Sequence, residues 1–510
     1  MSPIRLGGKT RSKRLERVFW AFMLLQRVKP LSRLLAEAGD QKTALKKTLG
    51  PGALTAMGIG AIIGTGIFVL TGVAAAKYSG PALTVSFIIA GIVSAFAALC
   101  YSEVASRVPI AGSAYTFAYA SLGEFVAWII GWDLVLEYAL GAATVSIGWS
   151  GYFTNFLSHF GINIPAAWQH NYWDTGPSGE AIHGIMNLPA FLIICLIGVL
   201  LIRGTRESAL VNAIIVTVKV AIVLFFIGIG FAHVNTGNWV PYFPFGWGGT
   251  LFGAFFVFFA YIGFDAVSTA AEEAKNPQRD MPIAIIGSLA ICTVLYIIVA
   301  AILTGMVKYT HLNVPQPVAY AVEHVGLPGW MSLVISIGAI AGLTTVLLVM
   351  MYGQTRVFFA MSRDGLLPAV FSKVHPTLRT PATSTAMFTV FIALIAAFTP
   401  ISVVGSLTNM GTLAAFVLVS ISVPILRKLY PEAKGFSVPF GPYIIPITSA
   451  ILASLLLLAP FVDTTVPRIL GLPLPWFGFV VWLIIGLAVY FLYGRSHSHV
   501  GINEGAATKT

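Results

Sequence analysis

The stretch GIGAIIGTGIF, Gly58 to Phe68, places four glycines (Gly58, Gly60, Gly64 and Gly66) inside an apolar run long enough to cross a bilayer. Glycine in a helix interior costs about 1 kcal/mol relative to alanine. Four of them so close together predict a helix that unwinds and frees backbone N–H and C=O groups. Such groups are tolerated at membrane depth only where protein buries them or a polar cavity receives them. The stretch therefore predicts a spanning helix with a polar break, suited to holding a small charged molecule. Reading the glycines as a dinucleotide-binding loop fails, because their spacing is wrong and no phosphate-binding lysine accompanies them.

The rest of the chain agrees. Of its 510 residues, 57% are hydrophobic and 10% charged, whereas a soluble domain carries about 25% charged residues. A large soluble enzyme core is excluded. Apolar runs of spanning length recur near 52–76, 82–107, 124–156, 187–203, 207–232, 249–274, 282–307, 329–361, 382–399, 402–428, 442–462 and 471–494. These predict an all-α integral membrane protein with twelve transmembrane helices. Cys100, Cys195 and Cys292 sit inside apolar runs without ligand-like spacing, so neither a disulfide framework nor a metal site is expected. No nucleophile–base grouping stands out, and no enzyme or cofactor is expected.

Lys and Arg gather on one side of the expected membrane. They lie in the N-terminal tail, at Arg107, Arg203, Arg206, Lys275, Arg279, Arg356, Arg363, Lys373, Arg379, Arg427, Lys428 and Lys434, and in the C-terminal tail. The other side has Lys77, Lys308 and Arg468. The asymmetry predicts an even number of crossings with both termini cytoplasmic. It also explains the net charge of +11 without a nucleic-acid partner. Residues 11–37 read either as an amphipathic helix on the membrane surface or as a disordered basic tail.

A second glycine break is expected at Gly263, in FFAYIGFDAVSTAAEE. Segments one and six each lead a group of five, and an odd number of crossings inverts the second group relative to the first. Paired interrupted helices at matching places in inverted halves mark the substrate site of a secondary transporter. The expected organisation is a basic cytoplasmic extension (1–47), a first repeat (48–232), a second repeat (233–430), two further helices (431–495) and a cytoplasmic tail (496–510).

The residues GIGAIIGTGIFVLTG (58–72), YSEVASRVPIAGSAYTF (101–117), GWDLVLEY (131–138), FFAYIGFDAVSTAAEEAKNPQRDMPIAI (258–285) and YGQTRVFFAMSRDGLLP (352–368) carry a resemblance. The chain resembles the amino acid–polyamine–organocation (APC) superfamily, and within it the cationic amino acid transporter (CAT) family of bacterial-type amino acid permeases. The resemblance implies that a substrate carboxylate meets the N–H groups of Gly64, Thr65 and Gly66, with the Thr65 hydroxyl beside them. It implies that the ammonium meets carbonyls of Ile62 or Ile63, and of Phe259, Ala260 and Ile262. Helix termini suit these charges, since N–H ends favour anions and C=O ends favour cations.

Charges at bilayer depth are functional candidates by default. Lys219, within NAIIVTVKVAIVLFF, is the foremost. The resemblance places such a lysine where sodium-coupled relatives hold a cation, so its ammonium is expected to contact free carbonyls near Gly58–Ala61. It reads as a proton relay or as a fixed strut. Asp265 is expected to accept from free N–H groups of the lower half-helix. Asp133 and Glu137 are four apart and are expected to share a face, either sharing a proton or positioning segment three. Glu103 and Arg107 are expected to pair, and Glu272, Glu273 and Arg279 to flank a turn before Pro282.

In segment eight, Thr344, Thr345, Met350 and Met351 offer no acidic partner for a cationic side chain, and Met350 is taken as a wall of the pocket. The expected function is proton-coupled uptake of small or neutral L-amino acids by alternating access across the cell membrane. A cationic amino acid exchanger or facilitator is the alternative, and a membrane amino-acid receptor without net transport is the rival of another class. The expected partners are an amino acid, a proton and lipid. The sequence is also compatible with a small membrane partner on the outer helices.

Overall fold

Proline placement explains where several helices begin. Pro51, Pro277, Pro317 and Pro475 each stand at the first or second position of a helix, where a missing N–H forfeits no helical bond. The structure, a computed structural model, describes residues 27–29, 47–108, 113–176, 180–204, 209–464 and 466–500. The reading of residues 11–37 falls almost wholly outside them, as do the last ten residues of the expected tail and the Glu272 side chain.

The first half contains α1 (Pro51–Ile62), α2 (Leu83–Arg107), α3 (Ser113–Ser121), α4 (Glu124–Val135), α5 (Gly141–Ser158), α6 (Leu188–Arg203) and α7 (Ala209–Phe231). The second half contains α8 (Gly246–Val257), α9 (Pro277–Met306), α10 (Pro317–His324), α11 (Gly329–Arg363), α12 (Ala382–Phe398) and α13 (Ile401–Leu429). Two more follow, α14 (Ile444–Val462) and α15 (Leu474–Val489). The described β structure is one short hairpin pairing Arg468–Ile469 with Leu472–Pro473, and two isolated bridges. Among the described residues, nine apolar helical stretches are long enough to cross a membrane, and α6 and α12 are shorter apolar helices.

Two features depart from expectation. The helix expected to start at 282 starts at Pro277. Asn276 sits at its cap, and the Asn276 N–H donates to Asp280 Oδ2 at 3.0 Å. The Asp280 carboxylate thus satisfies the N–H at the cap and the helix starts before Pro282, so Arg279 lies in the first helical turn and not in a turn ahead of it. The short helices α3 and α10 were not expected at all, because neither is long enough to read as a span.

Helices approach closely where side chains are small, as expected when lipid supplies no hydrophobic force between them. A Cβ added to Gly58 of α1 would lie 2.5 Å from Ser288 Oγ of α9. At one end of α2, buried Glu103 accepts from Arg427 Nε at 2.5 Å and Nη2 at 2.7 Å. The same carboxylate lies 3.0 Å from Arg107 Nε and accepts from the Val438 N–H at 2.8 Å. The expected Glu103–Arg107 pair is thus one part of a clasp joining α2, α13 and the chain beyond it. Glu103→Gln removes the charge that both arginines share. It is expected to cost about 2 kcal/mol, read as a lower unfolding midpoint in detergent. An unchanged midpoint would show that the clasp contributes nothing measurable.

Candidate functional site

The glycines of the first span do unwind it. Ile63 leaves the helix with φ −72° and ψ 101°, its N–H still bonded to the Ile59 carbonyl. The chain resumes as a π turn, Gly66–Leu70, a single α turn, Thr71–Ala74, and a second π turn, Ala75–Ser79. A helix end leaves its last carbonyls without backbone donors, and at membrane depth each needs another partner. Side chains from three other helices supply them. Lys219 Nζ of α7 donates to the Gly60 carbonyl at 2.7 Å, and Tyr296 Oη of α9 to the Ile62 carbonyl at 2.8 Å. Beyond the break, Tyr152 Oη of α5 donates to the Phe68 carbonyl at 2.6 Å. The ammonium of Lys219 therefore sits on the stretch of carbonyls where the sequence reading looked for it.

The second break has the same logic. After α8 the chain tightens into a 3₁₀ turn, Phe258–Tyr261, then opens at Ile262 (φ −62°, ψ 138°). Gly263 follows with φ 117°, a conformation that side-chain-bearing residues rarely adopt. A 3₁₀ segment, Asp265–Glu273, continues beyond it. Asp265 Oδ1 accepts from the Gly263 N–H at 3.2 Å, so its carboxylate caps the start of the lower segment.

The two breaks meet. A Cβ on Gly66 would lie 2.2 Å from the Ala260 Cα, and one on Gly263 would lie 2.7 Å from the Ala61 carbonyl oxygen. Each break thus uses a glycine to let the other's backbone approach. Thr65, next to Gly66 in the chain, is fully buried, and its hydroxyl oxygen has no hydrogen-bond partner among the described residues.

The expected site residues divide into two groups. Gly66 and Ala260 meet at the contact between the breaks, and Ile63, Gly64, Thr65 and Phe259 flank them in the chain. Ile262, Met350, Glu137 and Asp265 instead line a small cavity together with Gly263 and Tyr138. Met350 lines it and Met351 does not. Two carbonyls offered to an ammonium already have donors: Ile62 bonds Tyr296, and Phe259 accepts from the Ile262 N–H at 3.2 Å. Thr344 accepts from Trp149 Nε1 at 3.0 Å, and Thr345 donates to the Gly342 carbonyl at 2.9 Å.

The carboxylate pairing expected within segment three is a correction. Glu137 faces Asp265 and the Thr412 hydroxyl, and not Asp133. Both Asp133 carboxylate oxygens are buried without hydrogen-bond partners among the described residues. The reason is tertiary: the sixth-span break brings Asp265 into the cavity that Glu137 lines, whereas Asp133 is not part of that lining. The sequence reading also missed Tyr152, Tyr296 and Asn409, whose only signal is a polar atom inside an apolar run.

Membrane-spanning helices, two interlocked backbone breaks and a lysine bonded to one of them define a multi-pass membrane transporter. Residues 49–489 match the amino acid permease family, and the chain belongs to it. It is 48% identical over 475 residues to the methylthioribose transporter of Bacillus subtilis (strain 168), covering 93% of this chain and 98% of that one. It is likewise 48% identical over 477 residues to the branched-chain amino acid permease BcaP of the same organism, covering 92% and 98%. The vacuolar cationic amino acid transporter 4 of Arabidopsis thaliana is 40% identical over 406 residues, 78% of this chain and 66% of its own. The chain is a transporter and not an enzyme.

Proposed function

We propose that this permease takes small or neutral L-amino acids into the cell by alternating access, driven by a proton gradient and needing no cofactor. The contact between the two breaks carries the proposal, because unwound backbone at such a place would offer N–H and C=O groups of opposite polarity to one zwitterion. The carboxylate would meet the N–H groups of Gly64, Thr65 and Gly66 and the unpartnered Thr65 hydroxyl. The ammonium would meet carbonyls of Ile63, Ala260 and Ile262. Met350 and Ile262, on the cavity side, would meet the side chain. Lys219, Asp265 and Glu137 would couple the proton.

In this proposal the chain crosses the membrane twelve times. The nine long stretches and the two short helices supply eleven, and the turn at Gly80 (φ 60°) splits Pro51–Arg107 into two. The breaks then fall in the first helix of each inverted group of five, residues 48–232 and 233–430, with 431–495 as an appended pair. Both termini face the cytoplasm of a plasma membrane, in keeping with the Lys/Arg bias.

The equal identity to a methylthioribose transporter favours one second reading, a neutral sugar bound by hydroxyls where the zwitterion would lie. Uptake of radiolabelled L-alanine and L-leucine into liposomes, under an imposed pH difference, tests both. Acid outside is expected to drive accumulation. Unlabelled neutral amino acids are expected to compete, and lysine and methylthioribose are not. Uptake that ignores pH and requires amino acid inside would mean exchange. Uptake of radiolabelled methylthioribose, with none of either amino acid, would establish the second reading.

A further inference from the structure

Where α8 passes into its 3₁₀ turn, the carbonyls of Phe255 and Phe256 lose the N–H groups of Phe259 and Ala260 that a continued α-helix would have given them. Asn409 of α13 takes both. Its side-chain amide donates to the Phe255 carbonyl at 2.7 Å and to the Phe256 carbonyl at 3.0 Å. Because both neighbours are acceptors, the atom facing them is the NH₂ group. Asn409 is fully buried, and its Oδ1 has no hydrogen-bond partner among the described residues. The side chain holds α13 to α8 through its two N–H donors. Two residues after Asn409, a Cβ on Gly411 would lie 2.9 Å from the Asp133 carbonyl oxygen, so the same stretch of α13 also packs closely against segment three.

We propose that Asn409 is a positioning residue for substrate binding: it fixes the α-to-3₁₀ transition of the sixth span and so sets where the Ala260 backbone stands opposite Gly66. This rests on the substrate site lying at the two breaks. No contact between Asn409 and substrate is required. The amide donors are what matter, so a carboxylate of the same shape cannot replace them. Asn409→Asp would turn an oxygen towards two carbonyl oxygens.

The full chain, reconstituted in liposomes, tests this with the apparent KM and maximal rate of L-alanine and L-leucine uptake. The thermal midpoint is measured with and without amino acid. Asn409→Ala and Asn409→Asp are expected to raise the apparent KM about tenfold or more and to shrink the stabilisation that amino acid gives. Asn409→Ser, which keeps one donor, is expected to recover part of the affinity. Asn238→Ala removes an amide-to-carbonyl bond of the same kind, to Gly305 at 2.7 Å, away from the breaks. It is expected to leave the KM unchanged. An unchanged KM in both Asn409→Ala and Asn409→Asp would overturn the proposal, as would failure of all three Asn409 variants to reach the membrane, since a positioning residue leaves folding intact. If Gly66→Ala also left uptake untouched, the placement of the site itself would fall. If Gly66→Ala abolished uptake while the Asn409 variants kept a normal KM, the role of Asn409 alone would fall.

Discussion

Gly66→Ala is expected to reduce amino acid uptake at least about 100-fold, while the protein still inserts and purifies as a folded species. The added methyl would lie 2.2 Å from the Ala260 Cα and 2.4 Å from its Cβ. Carbon atoms in contact need about 3.5–4.0 Å, so the two breaks would have to part by more than ~1 Å. Neither moves freely. Lys219 and Tyr296 hold the end of α1, and Asn409 holds the end of α8. A displacement of this size at a binding centre can cost about 100-fold. Ala260→Gly is not expected to rescue it, because the obstructing Cα remains. Gly64→Ala provides the contrast. Its methyl would lie 3.3 Å from Val346 Cγ2, the end of a side chain that can yield. A loss below about tenfold is expected there. Liposome uptake measures both, and equal effects from the two substitutions would show that the approach of the breaks is not what the glycines serve.

That contrast also marks what could be read without a structure. Glycines that unwind a helix are visible as composition, and so is a lysine in an apolar run. The first break was therefore legible in the residues themselves, and the carbonyl stretch that Lys219 reaches was implied by the resemblance. Their partners were not. Tyr152 and Tyr296 sit among apolar residues where an aromatic ring is ordinary packing, and only the fold aims their hydroxyls at Phe68 and Ile62. Glu137 was misassigned for a related reason. Its partner Asp265 comes from the sixth-span break, far along the chain, and no local spacing announces it. The start of α9 was legible in Asn276–Pro277 with Asp280 following, but Pro282 drew the boundary forward. Spacing gives a face, and only the fold gives what that face meets.

Lys219→Met is expected to abolish proton-driven accumulation while leaving a folded, membrane-inserted protein. Lys219 is 1% exposed, its Nζ lies 2.7 Å from the Gly60 carbonyl, and its stem packs against Gly342 of α11. Methionine keeps the volume and the apolar stem contact but removes the donor. The Gly60 carbonyl is then left without that ammonium, at a cost of about 1–3 kcal/mol, which loosens α1 from α7. If the lysine only braces α1, Lys219→Arg keeps a charged donor and is expected to restore coupling. If it gains and loses a proton during the cycle, arginine cannot replace it, because a guanidinium does not deprotonate in a protein. We predict the second result: Lys219→Arg binds amino acid, seen as a rise in thermal midpoint, but does not accumulate it under an imposed pH difference. Uptake measured across external pH should then lose its acid dependence in both variants. Unaltered uptake with unaltered pH dependence in Lys219→Met would remove the lysine from the coupling mechanism, and recovery in Lys219→Arg would reduce it to a brace.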